Sequence, residues 1–289
     1  MVIIGVSGGL GNQMFQYALY RKLLTLGKKA KLDLSYFSAP NRIRDFELDI
    51  FNVKFEMAKS NEIIRMGVND YTFWGNIISR SKLIPPQIYV ENLETGYQPQ
   101  IFDMHNIYLS GYWQSEKYFY DIRTELLEIY QFPVIMDNQC AAILDKINET
   151  ESVSIHIRRK DYLDEHNNKI YGGICTPDYY QKAISYFRKN HNNARFYIFS
   201  DDPEWVKANF VDEDMQIIDC SMNNISAFDM SLMSRCKHNI IANSSFSWWA
   251  AWLNQNINKE IIAPYKWCNN YNINHIICDS WIRIEGNLT

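Results

Sequence analysis

The chain has 289 residues, 47% of them hydrophobic and 21% charged, with a formal net charge of −4. That length allows two domains, each burying its own core, and the acidic balance argues against a general nucleic-acid surface, so basic residues must act locally. The six cysteines are widely spaced without a Cys-x-x-Cys pair, which suggests neither a zinc site nor a disulfide framework.

The start, Met1 to Val6, lacks the charged and apolar regions of a signal peptide, and no apolar run approaches the length of a membrane span. A soluble protein of a reducing, cytoplasmic compartment is expected. The opening segment reads as a βαβ unit: strand Val2 to Val6, loop Ser7 to Gln13, a helix through Leu26 that Gly27 closes, and a strand around Lys31 to Leu34. Glycines between strand and helix let backbone approach a ligand, and the helix start favours anions. Met14 stands where a Rossmann fingerprint needs its third glycine, and no Lys-Ser/Thr follows the last glycine as in a Walker loop. A plain tight turn is the competing reading.

Residues 37–133 are less regular, with an aromatic cluster at Tyr71 to Trp74 and a Pro85-Pro86 break. Their landmark is Gly111-Tyr112-Trp113-Gln114-Ser115-Glu116-Lys117-Tyr118-Phe119, where Ser115 could cap a helix running to Tyr130 and Pro133 marks a stop. The domain boundary is placed there, giving residues 1–133 and 134–289.

From Val153 strands and helices alternate. Strand 153–157 precedes a helix with Thr176 as cap and Pro177 at its first position; strand 195–199 runs into Ser200-Asp201-Asp202-Pro203, another helix start. Strand 216–218 precedes a helix over 227–235, strand 239–242 runs into Asn243-Ser244-Ser245-Phe246-Ser247-Trp248-Trp249, and a last strand is expected at 260–263. Such alternation predicts an α/β fold whose parallel sheet binds ligands beyond the carboxyl ends of its strands. Three polar clusters fall on that edge: His156/Arg158/Arg159/Asp161, Ser200/Asp201/Asp202 and Asn243/Ser244/Ser245/Ser247. An arginine fork suits phosphate, a carboxylate suits a purine's amide and amino groups, and a serine-rich helix start donates to phosphate oxygens. Singly, each cluster reads as a helix cap sooner than as a ligand; together they favour a nucleotide diphosphate.

Five segments carry a resemblance across almost the whole chain: Gly-Gly-Leu-Gly-Asn-Gln-Met-Phe-Gln-Tyr-Ala at 8–18, the 111–119 landmark, His-Ile-Arg-Arg-Lys-Asp-Tyr at 156–162, Ser-Asp-Asp-Pro at 200–203 and Asn-Ser-Ser-Phe-Ser-Trp-Trp at 243–249. In this order they resemble the glycosyltransferase family 11 α-1,2-fucosyltransferases, with Lys160 standing where the family usually has glycine. The resemblance implies a GT-B-like architecture, two Rossmann-like domains facing across a cleft, the first on the acceptor side and the second binding GDP-fucose. It implies inverting transfer of L-fucose from GDP-β-L-fucose to O2 of a terminal galactosyl residue, with no cofactor or essential metal. It also implies site residues. Arg158 maps onto the β-phosphate, His156 and Asp201 onto the guanine, and Ser244, Ser245 and Phe246 onto the turn that closes on the phosphates. Gly11 and Asn12 map onto the N-terminal loop. Asp161 is the nearest carboxylate to deprotonate the acceptor, with Asp164 and Glu165 close by and orientation of an arginine as its alternative role, and Arg159 is expected to pair with protein carboxylates. Tyr112, Trp113 and Trp74 are candidates to stack on a galactoside, a core role being the alternative for each. The implied setting is O-antigen biosynthesis in the bacterial cytoplasm, at or near the inner face of the inner membrane. A fucosyltransferase of another linkage, or a non-catalytic nucleotide-sugar-binding module, would carry the same motifs.

Overall fold

A computed structural model describes residues 1–40, 42–69, 71, 85–133, 138–218 and 226–287. The chain divides into two compact units, Met1–Gln131 and Phe132–Thr289, each α/β with one all-parallel sheet. The parallel α/β sheet of the second unit is what the alternation of strands and helices from Val153 predicts.

In the N-terminal unit, β1 (Val2–Gly5), β2 (Ala30–Asp33), β3 (Ile88–Val90) and β4 (Ile107–Ser110) lie in the order β2-β1-β4-β3. The helix Leu10–Thr25 connects β1 to β2 and is buried on several sides, Gln13 and Gln16 included. It starts at Leu10, so Gly11 and Asn12, expected in a loop, occupy its first turn instead. Gly27, at φ +73°, ends it in the left-handed region that glycine adopts without strain. The helix expected from Ser115 is broken: Ser115 caps only the short 3-10 turn Glu116–Tyr118, and the α-helix proper is Arg123–Ile129. The aromatic run Tyr118-Phe119 explains the break, since both rings are fully buried and turn the chain into the core.

The C-terminal unit holds β5 (Glu151–Ile157), β6 (Ala194–Ser200), β7 (Met215–Ile217), β8 (His238–Ile240), β9 (Ile261–Pro264) and β10 (Ile282–Ile284), ordered β10-β9-β8-β5-β6-β7. β10 lies beyond the strand expected to be last; at three residues it is too short to show a period. Val153, Ile155, Phe196 and Ile198 pack with Tyr179, Ala183 and Phe187 of the helix Pro177–Asn190, giving strands covered by helices their apolar core. Thr176 caps that helix by accepting from Tyr179 N, and Pro177 follows at the first position, as predicted.

Candidate functional site

The register of the C-terminal sheet brings its polar clusters together. Ile157 pairs with Ser200, and Ile155 with Ile240, so Arg158, Asp201 and Asn243 leave neighbouring strands at nearly the same level. The backbone N–H of Arg159 donates to Asp201 Oδ1 at 2.8 Å, and the Arg159 guanidinium donates to Asp202 Oδ2 at 3.0 Å. Arg159 also lies over the Trp205 ring, 5.0 Å from its centre. It is therefore tied into a protein network, the role expected of it.

Arg158 is bounded by carboxylates too. It donates to Asp161 Oδ2, and its Nε faces Asp201 Oδ2 at 3.3 Å without hydrogen-bond alignment. The helix Pro203–Asn209 is capped by Asp202, not by Asp201, because Asp202 Oδ1 accepts from Trp205 N. Asp201 is thereby released from the capping role and turned toward the arginines.

His156, on the strand face opposite Ile157, is buried beside the Phe246 ring at a centroid distance of 5.5 Å. Burial, reinforced by the Arg158 charge, pushes its pKa down to about 3, so the imidazole is neutral. Its Nδ1 has no hydrogen-bond partner among the described residues, and neither has Asp201 Oδ2. Buried polar atoms are usually paired, so two such atoms at one strand end mark a place where something else completes the hydrogen bonding. Ser244 caps the helix Ser245–Leu253 by accepting from Phe246 N. Ser247 donates to the Ala242 carbonyl, and Asn243 donates to the carbonyls of Tyr171 and Trp267. Of the Asn-Ser-Ser-Phe-Ser run, then, Asn243 and Ser247 hold the turn in place, leaving Ser244, Ser245 and Phe246 at its surface.

A cavity of about 350 Å³ opens beside Arg158, walled in part by Tyr162, Tyr171, Cys175, Thr176 and Trp205. His156 and Asp201 are not among its walls. Trp205 and Tyr171 were not singled out from the sequence; the signal available was Trp205 in the first turn after the Ser-Asp-Asp-Pro motif. Burial pushes the Cys175 thiol up to about 12, which leaves it an inert wall.

In the N-terminal unit the two motifs meet at the sheet's carboxyl edge. Gln16 accepts from Ser7 N and donates to the Gly111 carbonyl, and Gln114 donates to Asn12 Oδ1 at 2.7 Å. Gln13 donates to the carbonyls of Gly8 and Asp45 and accepts from Glu47 N. The helix start expected to attract an anion already has one: Glu47 Oε2 accepts from Leu10 N at 2.9 Å. Glu91, its carboxyl raised by burial, accepts from the N–H groups of Tyr112 and Trp113. The expectation that Trp113 offers a stacking face is corrected: the ring is fully buried against Tyr118 and Tyr89, held by a backbone at φ +58°. Tyr112, by contrast, is exposed. Trp74 lies outside the described residues.

Among the described residues one further group has ligand atoms close enough for a cation: Glu151 and His238 at the amino ends of β5 and β8, and His191 just after the helix Pro177–Asn190, at the edge opposite Arg158. Proton placement works against a metal there. The backbone N–H of Glu260 donates to His238 Nδ1, so Nε2 carries the proton and donates to Glu151 Oε1 at 3.0 Å. Lys237 Nζ takes the other Glu151 oxygen at 2.6 Å. The cluster reads as a hydrogen-bonded brace across the strand starts.

The pattern of glycosyl transferase family 11 matches residues 1–285. The chain belongs to that family. This family 11 glycosyltransferase is 34% identical over 301 residues to an alpha-1,2-colitosyltransferase of Escherichia coli, with 99% of each chain covered. It is 33% identical over 305 residues to the O-antigen biosynthesis glycosyltransferase WbnK of Escherichia coli, covering 96% of this chain and 99% of that one. To the galactoside 2-alpha-L-fucosyltransferase SEC1 of Bos taurus it is 24% identical over 257 residues, covering 86% of this chain and 63% of that one. Among the described residues, no helix of the glycosyltransferase is long and apolar enough to cross a membrane.

Proposed function

We propose that the enzyme transfers L-fucose, with inversion, from GDP-β-L-fucose to O2 of a terminal galactosyl residue on a bacterial glycan. The observation that carries the reading is the strand-end arrangement of Arg158 between Asp161 and Asp201 Oδ2, next to the unpartnered His156 Nδ1. A nucleotide diphosphate answers each part. A guanine offers donors for a carboxylate and hydrogen-bonding edges for a neutral imidazole, and a phosphate matches the guanidinium fork. Ser244, Ser245 and Phe246 then close on the phosphates from the start of a helix whose N–H groups favour anions. The C-terminal unit is the donor binder in this reading, and Gly11, Asn12 and Tyr112 of the N-terminal unit serve the donor sugar or the acceptor.

Departure of GDP builds charge on the β-phosphate while the sugar becomes oxocarbenium-like. Donors fixed at the phosphate stabilise that state more than the bound ground state. Arg158 supplies the charge a metal supplies elsewhere, and no metal is assigned to the reaction. Asp212 and Asp214, which have Asp-x-Asp spacing, lie near the start of β7, and both are held by Arg188.

The 34% identical relative named for colitose favours a second reading in which the donor sugar is colitose, which lacks the 3-hydroxyl of fucose. Purified enzyme offered GDP-fucose and GDP-colitose in competition, with a panel of β-galactosides and the linkage read by NMR, separates the two. Transfer of fucose to O2 supports the first reading. Exclusive transfer of colitose replaces it, and binding of either donor without transfer to any galactoside reduces the protein to a binding module.

A further inference from the structure

We propose that Tyr162 is a positioning residue for the transfer reaction, its hydroxyl setting the spacing between Arg158 and the Ser244–Phe246 turn. This rests on the nucleotide reading above, in which both elements hold the diphosphate. β5 and β8 are neighbours in the sheet, yet their chains continue in opposite directions: the helix Pro177–Asn190 carries β5 on to β6, and the helix Ser245–Leu253 carries β8 on to β9. Right-handed crossovers then place the two helices on opposite faces, and such a reversal point opens a crevice at the carboxyl ends of its strands. The last pair in the register of β5 with β8 is Ile155 with Ile240, and Ile241 N donates to the Ile262 carbonyl of β9. The ladder between the two strands therefore stops short of both Arg158 and Ser244.

Tyr162 ties the two ends together where the ladder has stopped. After Arg158 the chain folds into the 3-10 turn Lys160–Tyr162, closed by Tyr162 N donating to the Arg159 carbonyl at 2.9 Å. From that turn the Tyr162 hydroxyl donates to the Asn243 carbonyl at 2.8 Å. The carbonyl shares its peptide plane with Ser244 N, which donates to the Ala242 carbonyl at 2.8 Å, so the peptide that opens the serine turn is oriented from both ends. Each partner of the bond is itself held. The Tyr162 ring stacks on Tyr171, with centroids 5.4 Å apart and planes at 26°, and burial pushes its phenol above the usual tyrosine range, which keeps the proton in place for donation. Asn243 is buried, and its side-chain amide donates to the Tyr171 and Trp267 carbonyls. A misplacement of about 1 Å in a group that meets the reacting phosphate can cost up to about a hundredfold in rate, so a bond that sets this spacing bears on turnover more than on stability.

A positioning bond and a merely structural one respond differently when the hydroxyl is removed. Turnover with the donor and galactoside that the wild type uses, GDP binding by calorimetry and thermal unfolding are measured for the wild type, Tyr162→Phe, Arg158→Lys and the double variant. Tyr162→His, whose shorter ring also lacks the hydroxyl, takes the place of Tyr162→Phe should that variant fold poorly. Tyr162→Phe should lower kcat about tenfold while GDP binds within about threefold of wild type and the unfolding midpoint falls by no more than about 4 °C. In the Arg158→Lys background the same substitution should change turnover by no more than about twofold, because the group it positions is already gone. A kcat equal to that of the wild type once corrected for the folded fraction overturns the positioning role, as do effects of the two substitutions that multiply in full. Wild-type enzyme that binds GDP yet transfers no sugar also overturns the positioning role, and absence of GDP binding to the wild type overturns the nucleotide reading with it.

Discussion

At the carboxyl edge of the N-terminal sheet, Gln13 makes three hydrogen bonds and Gln16 two, all to the chain's own backbone, whereas at the same edge of the C-terminal sheet His156 Nδ1 and Asp201 Oδ2 are buried with none among the described residues. Both edges carry strong sequence motifs. The polar residues of the first hold the glycine loop and the 111–113 turn in shape, with the buried Trp113 indole N–H the exception that finds no partner among the described residues. Those of the second are held apart by ion pairs and leave hydrogen-bonding capacity unused. A motif can therefore be specific because its side chains build a loop, or because they meet a ligand, and hydrogen-bond accounting separates the two.

The largest expected effect lies on the ligand-facing side. Arg158→Lys keeps the charge and loses the fork, and turnover at saturating donor should fall by roughly two to three orders of magnitude, about 3–4 kcal/mol, with little change in unfolding midpoint. Turnover near wild type would remove Arg158 from the transition state. On the loop-building side, Gln13→Leu leaves two carbonyls and one N–H without their partner. It should destabilise the protein by about 3 kcal/mol in urea unfolding, while the folded fraction retains most of its turnover. A variant as stable as wild type but inactive would move Gln13 to the ligand-facing class.

Glu151, at the far edge of the C-terminal sheet, tests a site with no part in transfer. Burial alone would raise its carboxyl, but Lys237, His238 and His191 outweigh it and pull the pKa down to about 2. Because the folded value lies below the unfolded one, the brace stabilises fully above the ordinary glutamate range and is lost as the pH falls through about 2. Glu151→Gln should then cost about 2 kcal/mol at neutral pH and progressively less in acid, with kcat unchanged. A cost that stays constant down to acid pH would mean that the shift is not what stabilises the sheet. The smallest effect sharpens the comparison at Ser244. As a cap alone, Ser244→Ala costs about 1 kcal/mol and Ser244→Gly a few tenths, with donor KM unchanged in both. An equal rise in donor KM in both variants places the hydroxyl on the phosphates.

The elements most visible in the sequence were those with local chemical punctuation. Thr176-Pro177 and Asp202-Pro203 start helices where expected, because a cap and a proline at the first position act within one turn of chain. Ser115 misled because a cap can start a 3-10 turn as readily as a helix; what stopped the helix was the burial of Tyr118 and Phe119 by distant residues. Trp113 misled for a similar reason. An aromatic residue in a motif has no period that distinguishes a stacking face from core, and the deciding contacts come from Tyr89 and Tyr118.

The sequence by itself determined the α/β class and the gathering of His156, Arg158, Asp201 and Ser244 at strand ends, because strand alternation and short caps are encoded within a few residues, while the resemblance to the family was carried by five motifs in their order. Tertiary structure alone decided which aspartate caps and which faces the arginines, that Gln13 and Gln16 build a loop, and that Arg158 is already engaged by Asp161. These are questions of pairing between residues that the fold brings together from separate segments, as Arg159 with Asp201 and Gln13 with Glu47, and the chain has no local signal for which of several acidic or amide side chains takes each partner.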